Sequence, residues 1–276
     1  MLFRSNDLAQ AGNRKTADVF YSENTPALRL LEIKNLLAPT EPATLARVDQ
    51  RFRSTVDDWV GVSARVGVLA YNTDKLAPAE VPDSVMDLAL PEWKGKIGLA
   101  PTDTDFQAVV TAIARTHSDE RTLEWLQALK ANAGSYVYSD NDVLADAINR
   151  GQVELGLINH QSWFRERARV GRSNLSSAIA FLRPLDSGYL LDLSGAAVLR
   201  SSDSPTDAQK LVAFLVSREG AETIAGSRSY EYPLGSNVKA AKGLREFNSL
   251  SPVPLTFNDL GDGSKAIELL RRAQLL

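Results

Sequence analysis

The sequence predicts an α/β protein, because short apolar runs typical of strands alternate with amphipathic stretches typical of helices. The strand pattern occurs at residues 65–71, 96–100, 153–158 and 189–199. With 276 residues, 44% hydrophobic and 24% charged, the chain has the composition of a globular protein with a substantial core. This length suits one large domain or two lobes of ordinary size.

The strands are bounded by residues that favour turns. Asn72, Thr73 and Asp74 follow the first run, and Pro101 follows the second. These residues mark where the first two predicted strands end.

The helices are predicted from apolar residues that recur at helical spacing. Ser118 or Asp119 is a suitable N-cap for one of them, and Ser204 followed by Pro205 suits the start of another. We assign these apolar stripes to the core and give them no functional weight. The stripes are Phe106, Val109, Val110, Ile113 and Ala114; Leu123, Leu126 and Leu129; Ala208, Leu211, Val212 and Leu215; and Ile267 and Leu270.

Charge and composition exclude several classes. The net charge is −3 and no segment is dense in Lys or Arg, so a nucleic-acid partner is not expected. No apolar run is long enough to span a bilayer, and no cysteine is present. Residues 1–7 lack the basic and apolar regions of a signal peptide. From this we expect either a cytosolic protein or a sequence without its original N-terminal piece.

We expect no enzymatic activity, because no reactive constellation is visible. The chain has two histidines, His117 and His160, and lacks a Gly-x-Ser-x-Gly elbow, a glycine-rich phosphate loop and a local metal-ligand pair. His117 lies at the end of a predicted helix, where a solvated or C-capping role is expected.

Polar residues gather where predicted strands end, at positions 23–24, 103–105, 141–142 and 159–162. In open α/β sheets ligands bind at such strand ends, next to helix N-termini. The same residue types are also ordinary helix caps, and the pattern alone favours caps.

Several motifs resemble those of periplasmic ferric-ion-binding proteins of ABC importers. Residues 17–28 (ADVFYSENTPAL) resemble the segment with that family's glutamate ligand, and the match extends from about residue 15 to the C-terminus. Further motifs follow in the family's order at residues 71–73, 91–98, 100–102, 158–160, 186–188, 194–199 and 231–234.

The resemblance implies an α/β, two-lobed periplasmic-binding-protein fold of type II, with a ligand cleft between the lobes. It places residues 1–65 with 190–243 in the first lobe, and residues 66–189 with 244–276 in the second. It also implies an extracytoplasmic or periplasmic location, a small solute or metal ion as ligand, an ABC permease as partner, and a monomer. The implied cargo is Fe(III) held with a synergistic anion by a glutamate and two adjacent tyrosines, since hard oxygen donors suit a trivalent cation.

Carried over by resemblance, Glu23 matches the carboxylate ligand, Asn24 is a neighbour of the anion, and Asn141 and Asn159 match anion-site positions. The tyrosine pair is absent, because Gln161 and Ser162 stand in its place. Neither residue supplies an anionic oxygen at neutral pH.

The anion loop departs from the family as well. Asp103-Thr104-Asp105 replaces small hydrogen-bonding residues, and two carboxylates would repel phosphate or carbonate. They could bind a hard cation or cap the following helix, and capping is expected for at least one of them.

The N-terminus is a third departure. The resemblance implies that the chain starts after the family's first strand and helix, with Leu2–Ser5 similar to a later strand, and we expect a truncated or misassigned start. A natural short form that swaps strands or dimerises is the alternative.

Three functions therefore remain: capture of ferric iron, binding of a different small solute in a neutral or acidic cleft, and a degenerate member without solute. Tyr21, in an apolar segment, is expected in the core. The predicted contact residues are Asn24, Asp103, Thr104, Asp105, Asn141, Asn159, Gln161 and Ser162, with Glu23 as the metal ligand.

Overall fold

The computed structural model describes residues 5–11 and 17–276. In chain order, its strands are β1 (Val19–Ser22), β2 (Leu37–Ala38), β3 (Val60–Asn72), β4 (Ile97–Gly98), β5 (Leu155–Asn159), β6 (Ser177–Ala180), β7 (Leu191–Leu199) and β8 (Tyr232–Pro233). Its α-helices are α1 (Ser5–Ala11), α2 (Thr25–Ile33), α3 (Pro42–Leu45), α4 (Thr104–Thr116), α5 (Asp119–Ala133), α6 (Asn141–Asn149), α7 (His160–Val170), α8 (Pro205–Leu215), α9 (Arg218–Gly226), α10 (Phe257–Leu260) and α11 (Ser264–Arg272).

The chain divides into two compact units. The first comprises residues 1–64, 192–249 and 256–262, and the second comprises residues 65–191, 250–255 and 263–276. The chain passes from one unit to the other within β3 and again at the start of β7. The lobe boundaries given above stay a prediction.

In the first unit, antiparallel pairing organises the sheet around β7. β1 pairs with β7 from Val19 opposite Val198 to Ser22 opposite Gly195, and β2 pairs with the end of the same strand. β8 pairs with the first part of β3, with Ser63 opposite Pro233. The fully buried Leu28 of α2 contributes to the core of this unit.

In the second unit, β3 and β5 form the centre of the sheet. They are antiparallel, with Gly67 opposite Asn159, and β6 pairs with β3 further along. β4 runs parallel to β5. The stacked rings of Phe106 and Trp125 join α4 to α5 in the core of this unit.

The predicted strands are present, with different ends. The strand predicted at 65–71 lies inside β3, whose thirteen residues are all buried. The strand predicted at 96–100 is shorter in the structure, where only Ile97 and Gly98 form β4. The strand predicted at 153–158 corresponds to β5, and the one predicted at 189–199 contains β7. Strand ends depend on pairing partners, which a local pattern does not contain.

The predicted helix starts are largely confirmed. Ser118 caps α5 by accepting a hydrogen bond from the backbone N–H of Arg121, and His117 is the C-cap of α4. Pro205 begins α8, although the Ser204 side chain makes no capping bond. Among the described residues, no helix has both the length and the apolar composition needed to cross a membrane.

Two predicted core positions are wrong. Leu211 of α8 is 47% exposed, because α8 buries a narrower face that includes Ala208 and Val212. Tyr21 is 47% exposed as well, because side chains alternate along β1 and Phe20 and Ser22 take the inward positions. Of the strand expected at Leu2–Ser5, the first three residues lie outside the described residues, and Ser5 begins α1.

Candidate functional site

Three helices of the second unit begin at one edge of its sheet. β4 and β5 are parallel, and Leu99 forms a parallel bridge with Val137. β4 leads into α4, the segment at Val137 leads into α6, and β5 leads into α7. The carboxyl ends of parallel strands meet at a common edge, so the three helix N-termini lie there together, where ligands of α/β proteins bind.

Asp103 connects two of these helices. It is the N-cap of α4, and its Oδ1 accepts a hydrogen bond of 2.8 Å from the backbone N–H of Asp105. Its Oδ2 accepts a second bond of 2.8 Å from the backbone N–H of Asn141, the first residue of α6. The capping role expected for at least one acidic residue of this loop is therefore confirmed.

Asp105 pairs with a buried arginine. Arg65 lies in β3 with a side chain only 2% exposed, and its Nε and Nη2 donate to Asp105 Oδ1 over 2.8 and 2.6 Å. Asn141 Nδ2 donates to Asp105 Oδ2 over 3.5 Å. A buried guanidinium is tolerated only with a hydrogen-bonded counter-charge, and Asp105 supplies one from within the same unit.

The surroundings of Asp103 disfavour its ionised form. Burial and the neighbouring Asp105 carboxylate raise its pKa from the ordinary 3.8 to about 6, although backbone hydrogen bonds from Asn141 and Asp105 and the charge of Arg65 act in the opposite direction. Another anion at this edge of the sheet would meet the same repulsion.

Two buried oxygens at the beginning of α6 and α7 have no hydrogen-bond partner among the described residues. They are Asn141 Oδ1 and Gln161 Oε1, on side chains 4% and 5% exposed. The Asn141 amide must turn its nitrogen toward the Asp105 carboxylate, so its oxygen is the atom left over. Only a hydrogen-bond donor or a cation satisfies such acceptors.

A bare metal ion finds few anionic ligands here. Within residues 5–11 and 17–276, no group of three or more His, Asp or Glu side chains is arranged to hold a metal. A hard cation bound at this edge would therefore need further oxygen ligands from another source.

Comparison with known proteins identifies the family. Residues 14–255 match the model of the family described as bacterial extracellular solute-binding protein. The chain belongs to this family. It is 34% identical over 271 residues to the Fe(3+)-binding periplasmic protein of Serratia marcescens, covering 98% of this chain and 79% of that protein. It is equally identical to the major ferric iron-binding protein of Neisseria meningitidis, of which it covers 81%.

Solved structures give the same assignment. Iron-bound HitA from Pseudomonas aeruginosa shares 37% identity with a TM-score of 0.92, over 98% of this chain and 86% of that one. The Bordetella ferric binding protein shares 26% identity with a TM-score of 0.78, over 98% of this chain and 87% of that one. The resemblance to ferric-ion-binding proteins and the expected two-lobed type II α/β fold are thereby confirmed, and the protein is a solute-binding member of its family.

Gln161 and Ser162, which stand where the resemblance to ferric-ion-binding proteins implies two tyrosines, are buried in the first turn of α7. Ser162 Oγ accepts a hydrogen bond of 3.2 Å from Arg165, and Gln161 Oε1 is one of the two buried oxygens described above. The preceding His160 accepts at Nδ1 a bond of 3.1 Å from the backbone N–H of Val66, which anchors the turn to β3. The turn thus presents neutral groups where the resemblance implies phenolates.

Thr104 and Asn159 lie at the same edge of the sheet. Thr104 is the first residue of α4 and is exposed. Asn159 is the last residue of β5 and the N-cap of α7, but its side chain makes no capping hydrogen bond. The second unit therefore assembles seven of the predicted contact residues.

Glu23 and Asn24 belong to the first unit. Glu23 is exposed, and its backbone oxygen accepts a hydrogen bond of 3.5 Å from Ser194 Oγ. Asn24 is the N-cap of α2, and its side chain accepts a bond of 3.3 Å from the backbone N–H of Ala27. Asn24 thus has a structural role of its own.

Arg65 is the site residue that the sequence analysis missed. The strand pattern at residues 65–71 gives Arg65 no chemical role. The available signal was its position as the one charged residue in the stretch from Val60 to Asn72. A lone arginine in a buried strand requires a counter-charge.

Proposed function

We propose that this protein is the extracytoplasmic solute-binding component of an ABC importer, and that its cargo is ferric iron carried as a complex. The observation that carries the proposal is the 34% identity with the Fe(3+)-binding periplasmic protein of Serratia marcescens over 98% of the chain. The likeness to iron-bound HitA supports the same cargo. The partner would be a membrane permease, and the protein would act as a monomer that neither catalyses a reaction nor binds nucleic acid.

The replacement of both tyrosines favours a complex over the bare ion. Ferric iron prefers anionic oxygen ligands, and Gln161 and Ser162 offer neutral ones. We propose that Glu23 supplies a carboxylate to the metal, while a small chelator that arrives with the iron supplies the remaining charged oxygens. Asn141 and Gln161 would bind donor groups of the chelator or of the iron's water ligands.

The test is a titration of metal-stripped protein with ferric nitrilotriacetate, followed by calorimetry and by the visible spectrum. We expect one-to-one binding without a tyrosinate-to-iron absorption band. The double variant Gln161→Tyr/Ser162→Tyr should gain that band, because it restores two phenolates to the first turn of α7. No heat from folded wild-type protein would refute an iron cargo.

Glu23→Ala tests the proposed ligand. We expect at least a tenfold loss of affinity for the ferric complex, since loss of one charge-assisted interaction costs about 1.5–3 kcal/mol. Glu219→Ala is the matched control, because Glu219 is also an exposed glutamate of the first unit. Equal affinities of the two variants would remove Glu23 from the site.

A second candidate is a cationic or hydrogen-bond-donating small solute without iron. The buried acceptors Asn141 Oδ1 and Gln161 Oε1 favour it, together with the carboxylate of Asp103. A thermal-shift screen with amine-bearing solutes distinguishes the two candidates, because only a ligand of the native state raises the melting temperature. A folded protein that responds to neither class would be a member without solute binding.

A further inference from the structure

The donors that usually bind an oxyanion are already used by two carboxylates in the second unit. Arg65 Nε and Nη2 donate to Asp105, and so does Asn141 Nδ2. The backbone N–H groups of Asp105 and Asn141, each in the first turn of a helix, donate to Asp103. A guanidinium fork, an amide and helix N-terminal N–H groups are the typical components of an oxyanion site.

A free phosphate or carbonate therefore does not fit these residues. Asp105 Oδ1 accepts the hydrogen bonds that an oxyanion would accept from Arg65, and Asp103 adds a second negative charge beside it. In the described part of the chain, Asn141 Oδ1 is a buried oxygen at this position without a hydrogen-bond partner, and an oxygen repels an anion rather than binding it.

We propose that Asp105 is a built-in substitute for a synergistic anion. Its carboxylate neutralises Arg65 and takes the position at the N-terminus of α4 that an exogenous oxyanion would otherwise need. The protein then binds its solute without an added anion, and Asp105 sets this specificity. The part that concerns the solute rests on the proposed function, whereas the exclusion of anions does not.

Position and burial both support this role. Asp105 is in the first turn of α4, a helix of 13 residues, where the helix dipole stabilises negative charge. Its side chain is 12% exposed, so its interaction with Arg65 is only weakly screened by solvent. The carboxylate is covalently held in place, and it loses no translational freedom when the solute binds, unlike a free anion.

The first test measures anion binding without any solute. Wild-type protein and Asp105→Ala are melted in phosphate, in bicarbonate and in chloride of matched ionic strength. Removal of the carboxylate takes away the acceptor of the hydrogen bonds that Arg65 Nε and Nη2 donate to Asp105, and an anion can replace that acceptor. At ten times its dissociation constant, we expect phosphate or bicarbonate to raise the melting temperature of Asp105→Ala by roughly 3–6 °C, with no specific shift for the wild type.

Two control variants identify the source of any shift. Glu222→Ala removes an exposed carboxylate that lies 2.9 Å from Arg218, and it should gain no anion response. The double variant Arg65→Met/Asp105→Ala removes the guanidinium as well and should also show none. A response of equal size in Glu222→Ala would mean adventitious surface binding and would overturn the assignment.

Folding of the variant does not limit the test. If Asp105→Ala fails to fold in chloride, phosphate must restore folding by occupying the vacated position, and failure to do so counts against the proposal. Asp105→Asn, which keeps an acceptor oxygen without the charge, provides a second folded variant and should respond to anions more weakly than Asp105→Ala. Specific binding of phosphate by wild-type protein would refute the inference outright.

The second test uses the solute and separates this inference from the proposed function. Phosphate should change the affinity of wild-type protein for the ferric complex less than twofold. It should raise the affinity of Asp105→Ala for the same complex at least tenfold. If neither protein binds the complex while Asp105→Ala still binds phosphate, the iron cargo is wrong and the role of Asp105 stands. If wild-type protein binds iron only with added phosphate, the role of Asp105 is wrong and the iron cargo stands.

Discussion

Two arginine–aspartate pairs of the second unit have similar geometry and different surroundings. Arg65 and Asp105 approach to 2.6 Å with side chains 2% and 12% exposed. Arg165 and Asp142 approach to 2.7 Å on the surface of α7 and α6, with side chains 36% and 53% exposed. Both arginines donate to their carboxylate through Nε and Nη2.

The difference shows that contact distance says little about the energetic role of an ion pair. Water screens the exposed pair, so its partners can separate at little cost. The buried pair cannot separate without leaving a charge in a poorly solvated place. Variants of the buried pair should therefore cost more free energy of unfolding than variants of the exposed pair, and the pH effect of Asp103 should lie between them.

The largest effect is expected from Arg65→Met. Loss of the guanidinium leaves Asp105 without this cation beside Asp103, and we expect the free energy of unfolding to fall by about 3–5 kcal/mol. Urea unfolding followed by tryptophan fluorescence measures it, because Trp93, Trp125 and Trp163 all lie in the second unit. Addition of Asp105→Ala to this variant should recover part of the loss.

Arg165→Met is the matched control for that variant. It removes a guanidinium with the same partner type from the surface, and we expect a change below about 1 kcal/mol. Equal losses from both arginine variants would show that burial does not distinguish the two pairs.

An intermediate effect is expected from pH, through Asp103. Its pKa is raised in the folded state to about 6 from 3.8, so the folded protein binds more protons than the unfolded chain between these values. The contribution of Asp103 to stability is therefore full below pH 3.8 and is lost as pH rises through about 6.

Asp103→Asn should remove this dependence. As pH rises from 4 to 7, the free energy of unfolding of Asp103→Asn should increase by about 1–2 kcal/mol relative to that of wild type. This effect is smaller than the full pKa shift would give, because solvent screens a half-buried group. The loss of one acceptor oxygen is a constant offset at every pH. Parallel pH profiles for the two proteins would contradict the prediction.

The smallest effect is expected at the exposed pair. A double-mutant cycle with Arg165→Ala and Asp142→Ala should give a coupling energy of about 0.2–1 kcal/mol. We expect it to shrink in 1 M salt, where the screening length is about 3 Å. A coupling as large as that of the buried pair, or one insensitive to salt, would break the contrast.

Local patterns predicted those features that depend on local physical chemistry. Helical spacing located α4 and α5, and the Ser118 cap is local because its partner Arg121 is three residues away. The motif at residues 17–28 and those after it were enough to identify the family, because their order and spacing are properties of the sequence.

The errors came from positions that depend on distant neighbours. Tyr21 was placed in the core because its segment is apolar, yet the pairing of β1 with β7 turns it outward. Leu211 was assigned to a buried stripe, yet α8 buries a narrower face. The surfaces against which β1 and α8 pack come from other parts of the chain, so the sequence near Tyr21 and Leu211 does not indicate them.

The sequence by itself determined the α/β class, the family and the absence of phenolates at Gln161 and Ser162. The tertiary structure alone decided how the acidic loop is used. Arg65 is 40 residues from Asp105, and Asn141 is 38 residues from Asp103. Whether a carboxylate is available to a ligand or is already paired depends on which donors lie within 3 Å of it. Strand pairing brings those donors together from distant parts of the chain.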